Sequence, residues 1–279
     1  MLFKSVAITA ALAASTLAQL SSRNITRSCG TPLPTEAQMQ ASQQMLQDER
    51  VRIASGVRPL RALTVDTYFH VVAASEAEED GYATEQQLND QFHVLSAAYA
   101  FHGITFNLLG KDWTVNPDWA DDQDEFAYKE ALRQGDYGTL NVYFIRHPNF
   151  NALGYCYFPG NFAEGSTDFI LDGCVIDAAT VPGGSAAPYN LGGTVPHEVG
   201  HWFNLYHTFQ DGCNGGDLVD DTPAQANPSF GCPIGRDSCP AEGLDPIHNY
   251  MDYSDDACYE EFTVGQQERM YSAWDTYRA

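Results

Sequence analysis

A chain of 279 residues can bury one large core or two modest lobes, and its net charge of −23 argues against nucleic acid or an anionic membrane surface as a partner. The acidity is uneven: residues 1–61 carry seven Lys/Arg against three Asp/Glu, whereas residues 62–279 carry seven against thirty-four, so the two parts attract. Solubility of an exported protein explains that acidity as well as any functional need does.

The chain opens with Met1-Leu2-Phe3-Lys4, an apolar run from Val6 to Leu17 and a small-residue exit at Ala18, the pattern of a secretory signal peptide over 1–18. The run is short for a membrane span, and no later stretch is long enough. A soluble, secreted, extracellular protein is expected, most simply a monomer. Seven cysteines in an exported chain imply three disulfides and one thiol left over, with the connectivity open from spacing alone.

Residues 19–61 are rich in Gln, Ser and Arg and read as a propeptide. Asn24-Ile25-Thr26 is the one glycosylation sequon, which suits an exposed segment. Gln38 to Ile53 has helical character, with a thin apolar stripe of Met39, Met45 or Leu46, and Ile53.

The body, 62–279, begins with an alternating β-rich stretch from Leu63 to Val72, placing Val65, Thr67, Phe69 and Val71 on one side. Thr84-Glu85-Gln86-Gln87 is a capping box opening a helix whose face is Leu88, Phe92, Leu95 and Tyr99, ending at Gly103. A strand over Ile104–Leu109, a short helix around Phe126–Arg133 and a strand over Thr139–Ile145 follow. This alternation predicts a mixed or parallel sheet with crossover helices. His70, His93, His102 and His147 lack ligand spacing and read as structural or surface residues. Leu153–Phe158 and Phe169–Asp177 are expected as short strands, and Gly183-Gly184-Ser185 as a flexible approach to a helix starting near Thr194, with Pro196 in its first turn.

That helix carries His197-Glu198-Val199-Gly200-His201-Trp202-Phe203-Asn204-Leu205-Tyr206-His207. His197 and His201, four apart, project from one helical face and can share an ion. Glu198 stands beside them, suited to take a proton from a metal-activated water instead of binding the metal. His207 can supply a third nitrogen only after the chain turns, and Asn204, tolerant of positive φ, is the residue that can end the helix. A core helix with incidental histidines is the bland alternative, but three His and an acid in eleven positions are costly to bury without a partner.

The stretch resembles the long zinc signature of the metzincin peptidases, H-E-x-x-H-x-x-G-x-x-H followed by a Met-turn, and His248-Asn249-Tyr250-Met251-Asp252-Tyr253 resembles that turn in the pappalysin branch, in particular its short secreted members. The departure is Asn204, where the family usually has Gly. The resemblance implies an α/β (α+β) metzincin-like domain, with a mixed twisted sheet and zinc helix in an upper lobe (62–204) and a small irregular disulfide-stapled lower lobe (205–279). It implies a zinc endopeptidase acting on polypeptide substrates, with His197, His201 and His207 as ligands, Glu198 as general base and Met251 as a floor beneath the imidazoles. Tyr253 would stabilise the oxyanion or, equally, pack against the C-terminal helix.

Further expectations come from the same likeness. Leu153–Phe158 would be the antiparallel edge strand that binds extended substrate. Crossed bridges Cys213–Cys239 and Cys232–Cys258 are implied, with Cys156 then left to Cys174. Arg27-Ser28-Cys29-Gly30-Thr31-Pro32 resembles a cysteine switch, in which Cys29 fills the fourth zinc position until the chain is cut near Arg58–Arg61; the alternative is a merely unpaired or intermolecular thiol. Asp217, Asp220, Asp221 and Thr222 offer hard oxygens for calcium, against the plainer reading of a solvated acidic loop. Val264–Tyr277, with Met270, Tyr271 and Trp274, is the last helix. The competing functions are an inactive, partner-binding relative and a module holding a structural zinc.

Overall fold

The computed structural model describes residues 26–56 and 61–279. The expected signal peptide, the Asn24 sequon and residues 58–60 of the expected cutting region lie outside them.

Helix α1, Glu36–Ala54, is opened by a capping box between Thr35 and Gln38. Strand β1 (Leu63–Ala73) leads through α2 (Glu85–Ala100), capped by Thr84 and Gln87, to β2 (Ile104–Val115). Helices α3 (Pro117–Ala120) and α4 (Glu125–Leu132) precede β3 (Leu140–Ile145), every residue of which is buried, as befits a strand covered on both faces. Then come β4 (Gly154–Cys156), α5 (Thr167–Leu171), β5 (Cys174–Asp177), α6 (Thr194–Trp202) and α7 (Val264–Ala273). The strands form one sheet in the order β2-β1-β3-β5-β4, parallel except for β4, which runs antiparallel to β5 at the edge.

The mixed sheet and its crossovers match the expected architecture, and four details differ. Strand β2 continues to Val115 because the register with β1 slips between Thr67 and Tyr68, so Leu109 is bulged out and pairing resumes at Gly110. The expected strand Phe169–Asp177 begins as helix, since Ser166 caps the Phe169 amide and Gly173, at φ 110°, breaks the turn before β5. The expected strand Leu153–Phe158 is regular only over Gly154–Cys156. On α1 the buried residues are Ser42, Met45 and Glu49, so the docking face is largely polar and excludes Ile53.

The core gathers Phe69, Leu88, Leu95, Tyr99, Val142 and Phe144 from the sheet and α2 with Trp202 and Phe203 at the end of α6, Met251, and Met270 of α7. His70 is buried in it, bridging Asp112 (2.7 Å) and Asn141 (3.0 Å), and His102 contacts Gln267, whereas His93 and His147 lie at the surface. Bridges Cys156–Cys174, Cys213–Cys239 and Cys232–Cys258 are formed and Cys29 is free, the pairing the resemblance implied. The first fastens β4 to β5, and the other two hold a lobe that, apart from α7, has little regular structure.

Candidate active site

Every residue of α6 is buried, which fixes the helix and the side chains it projects. It ends as the sequence requires: Asn204 takes φ 67°, its amide donates to His201 O (2.8 Å), and Leu205 N donates to Gly200 O (2.9 Å). The reversal brings His207 back onto the helix, with ring centroids 4.5 Å from His201 and 5.2 Å from His197.

Each helix imidazole is oriented through its Nδ1, which faces a carbonyl: Tyr250 O for His197 (2.6 Å) and Leu205 O for His201 (2.8 Å). With Nδ1 protonated, Nε2 is left as a lone-pair donor. His197 Nε2 is buried without a hydrogen-bond partner, and the Nε2 atoms of His201 and His207 face each other at 3.1 Å. Around one zinc at the usual Zn–N distance in tetrahedral geometry, two nitrogens lie roughly 3.3 Å apart. The donor set therefore fits zinc. Burial depresses all three imidazoles, His201 to about 4 and the others well below the ordinary value, which keeps them neutral and ready to ligate.

Cys29 completes the cluster. Its Sγ and one nitrogen from each of the three histidines lie within 4.8 Å of one another. Burial, then the charge of Glu198, pushes the thiol up; a divalent cation among these ligands reverses that sign, since a coordinated thiol is deprotonated. The thiol also lies 3.3 Å from Glu198 Oε2, which Thr31 Oγ1 meets at 3.3 Å as well. Burial pushes the Glu198 carboxyl up to about 8, in the range that suits a general base.

The turn around Met251 lies beneath. A Cβ on Gly200 would run into the Met251 sulfur, so glycine there lets the turn approach the helix. Asn249 holds the turn through a reciprocal amide pair with Gln266 (2.7 and 3.0 Å) and an acceptor for Met251 N (2.9 Å). Tyr253 places its ring 5.1 Å from that of His207, and its hydroxyl accepts the Cys29 amide at 3.0 Å. Burial holds its phenol protonated.

Several participants carry no signal in spacing. Cys29 pairs with Gly154 at the sheet edge through one parallel β-bridge, with Gly30 N donating to Gly154 O (2.8 Å) and Leu153 N to Ser28 O (2.9 Å). Arg27 is buried with Asp256 as its ion-pair partner, between the rings of Tyr189 and Tyr259, each 4.8 Å from its guanidinium carbon. A local cue is present: Arg27 stands two residues before the odd cysteine, Cys29. The expected calcium quartet is not gathered. Asp217 and Thr222 face each other at 2.6 Å, but Asp220 pairs with Arg50 (2.6 Å) and Asp221 accepts Gly265 N (2.8 Å). The acidic residues at 220 and 221 are thus taken up in holding α1 and starting α7.

Together the sheet, the edge strand and the three-imidazole, one-carboxylate centre define a metallopeptidase of the metzincin type, which implies a zinc cofactor. Comparison with known proteins agrees. The family model Peptidase_M43, described as pregnancy-associated plasma protein-A, matches residues 121–275. An extracellular metalloprotease of Colletotrichum graminicola is 52% identical over 275 residues, 98% of each chain. Extracellular metalloprotease 1 of Coccidioides posadasii is 52% identical over 96% of each. Mature mirolysin of Tannerella forsythia, solved with a cleaved peptide, superposes with a TM-score of 0.62 at 27% identity, over 77% of this chain and 93% of that one. The chain belongs to the pappalysin family of metallopeptidases.

Proposed function

We propose that this chain is a secreted zinc endopeptidase made as a latent precursor. The observation that carries the reading is the convergence of Cys29 Sγ with three neutral imidazole nitrogens beside a buried Glu198. His197, His201 and His207 would hold zinc, which supplies Lewis acidity to the scissile carbonyl and to the attacking water. Glu198 takes the water's proton and returns it to the leaving amine. Tyr253, held protonated, donates to the oxygen that gains charge at the carbonyl carbon. Met251 supports the imidazoles from below.

Latency follows from what residues 27–31 occupy. Cys29 would fill the fourth ligand position, Thr31 donates to the Glu198 carboxylate that the Cys29 sulfur also abuts, and Ser28–Gly30 lies on the edge strand to which extended substrate would add. Cutting near Arg58–Arg61 would free all three. The signal peptide and the extracellular relatives support secretion. Calcium is a narrower proposal than the sequence suggested: Asp217, whose Oδ2 is buried without a partner, with the Thr222 hydroxyl and Val219 carbonyl beside it, supplies hard oxygens for one ion.

Casein cleavage by the processed protein should stop with a chelator, return with zinc, and be absent in Glu198→Ala. Cleavage indifferent to both chelator and that substitution rules out the mechanism. The uncut Cys29→Ser chain should be more active than its uncut parent, though less than the cut protein because Thr31 and the bridge to the edge strand remain; a variant as silent as its parent refutes the thiol latch.

A further inference from the structure

The backbone at position 204 needs a left-handed residue, and glycine would serve it with less strain than asparagine. The side chain therefore needs its own explanation, and both of its amide hydrogens find it on α1. Asn204 Nδ2 donates to Ser42 Oγ at 3.1 Å and lies 3.6 Å from Met45 Sδ. Ser42 Oγ also shares a hydrogen with Tyr206 OH at 2.8 Å. All four groups are buried. Glu49, one turn further along the same face, pairs with the buried Arg269 of α7 at 3.0 Å.

We infer that Asn204, with Tyr206, is a docking site for the N-terminal helix α1, read by hydrogen bonds and separate from the contact between Cys29 and the imidazoles. The inference rests on the latency reading above. A helix whose buried face is Ser42, Met45 and Glu49 gains little from hydrophobic burial, so its affinity and register depend on polar partners in place. Asn204 supplies them where they bear on the centre. Its own amide bonds His201 O, and the next carbonyl, Leu205 O, accepts from His201 Nδ1. Docked α1 thus steadies the turn that orients His201, and departure of the helix removes both acceptors from the Asn204 amide.

The reactivity of Cys29, the one free thiol, toward a chromogenic disulfide reagent in the uncut chain measures how often this segment lifts. Removing one partner of a buried hydrogen bond typically changes such an equilibrium tenfold or more. Ser42→Ala and Asn204→Gly should each speed labelling about tenfold, and the double variant should label well below the roughly hundredfold product of the two, because both remove the same Asn204–Ser42 hydrogen bond. Glycine keeps the left-handed backbone, and Ser42 leaves with the N-terminal segment, so the cut product of Ser42→Ala is identical to the parent's. Labelling within about twofold of the parent in both single variants, or effects that multiply in the double, overturns the docking role. Labelling is read without catalysis: should Cys29→Ser stay silent while these rates rise, the thiol latch fails and the docking site stands.

Discussion

Gly154 faces Glu198 across the catalytic cleft so closely that a Cβ on the glycine would lie 2.9 Å from Glu198 Cγ, 3.2 Å from its Oε1 and 3.0 Å from Val175 O. Pairing with Ile176 fixes the glycine, and a backbone carbonyl cannot yield, so any displacement falls on the carboxylate. Gly154→Ala should therefore lower kcat by about a hundredfold, the scale on which a misplacement of about 1 Å costs rate. Zinc content by atomic absorption should stay at one per chain. Retained kcat would mean that Glu198 works from another position.

Met251 fills the space under α6 and is fully buried. Met251→Ala leaves a cavity beneath the imidazoles and should destabilise the protein by about 2–5 kcal/mol, whereas Met251→Leu, nearly equal in volume, should cost under about 1.5 kcal/mol. Urea midpoints of the two variants against the parent check both. Equal losses would assign the sulfur a role beyond filling space.

What the sequence disclosed and what it hid follow one physical division. His197, Glu198, His201 and Asn204 act through periodicity and backbone preference, both local, so their geometry was legible before any fold was known. The capping box at Thr84 was local in the same way. Arg27 and Asp256 lie 229 residues apart, and only the folded chain brings them together. The face of α1 is only partly legible: Met45 of the expected stripe is buried and Ile53 is not, because the helix docks through a serine and a glutamate as well, whose partners lie at Asn204, Tyr206 and Arg269. The four acidic-loop residues resembled a cation site because sequence shows charges and not their directions; two of the four point elsewhere.

Burial pushes the Asp217 carboxyl from its ordinary 3.8 up to about 7. A folded value above the unfolded one means the native state binds the proton more tightly. The stabilisation is therefore complete below about pH 4 and is lost as pH rises through about 7, a swing of roughly 4 kcal/mol. In chelator, urea midpoints of the parent should fall across this window relative to Asp217→Asn, which has no charge to gain. Added calcium should restore the parent above pH 7 and leave the variant unmoved. Parallel pH curves for the two proteins would remove Asp217 from the account.

The Arg27 guanidinium is gripped by Asp256, Tyr189 and Tyr259, all outside the segment 1–61 that the latency proposal removes. Asp256 is anchored through Oδ2 by the amides of Leu191 (2.8 Å) and Gly193 (3.1 Å), leaving Oδ1 to the cation, and the two tyrosine rings flank it. Arg27 lies two residues from Cys29, so the vacated pocket adjoins the reacting centre. A substrate arginine near the scissile bond would regain a buried ion pair and both ring contacts, which leucine cannot. Processed enzyme should therefore favour Arg over Leu at that position by about a hundredfold in kcat/KM. Asp256→Asn keeps an acceptor for the two amides while removing the charge, and should cut the preference by at least about thirtyfold, since a buried charge pair loses about 2–5 kcal/mol when one partner goes. Fluorogenic peptides differing at that one residue measure the ratio, and a preference that survives Asp256→Asn would mean that substrate binds elsewhere than where Arg27 lay.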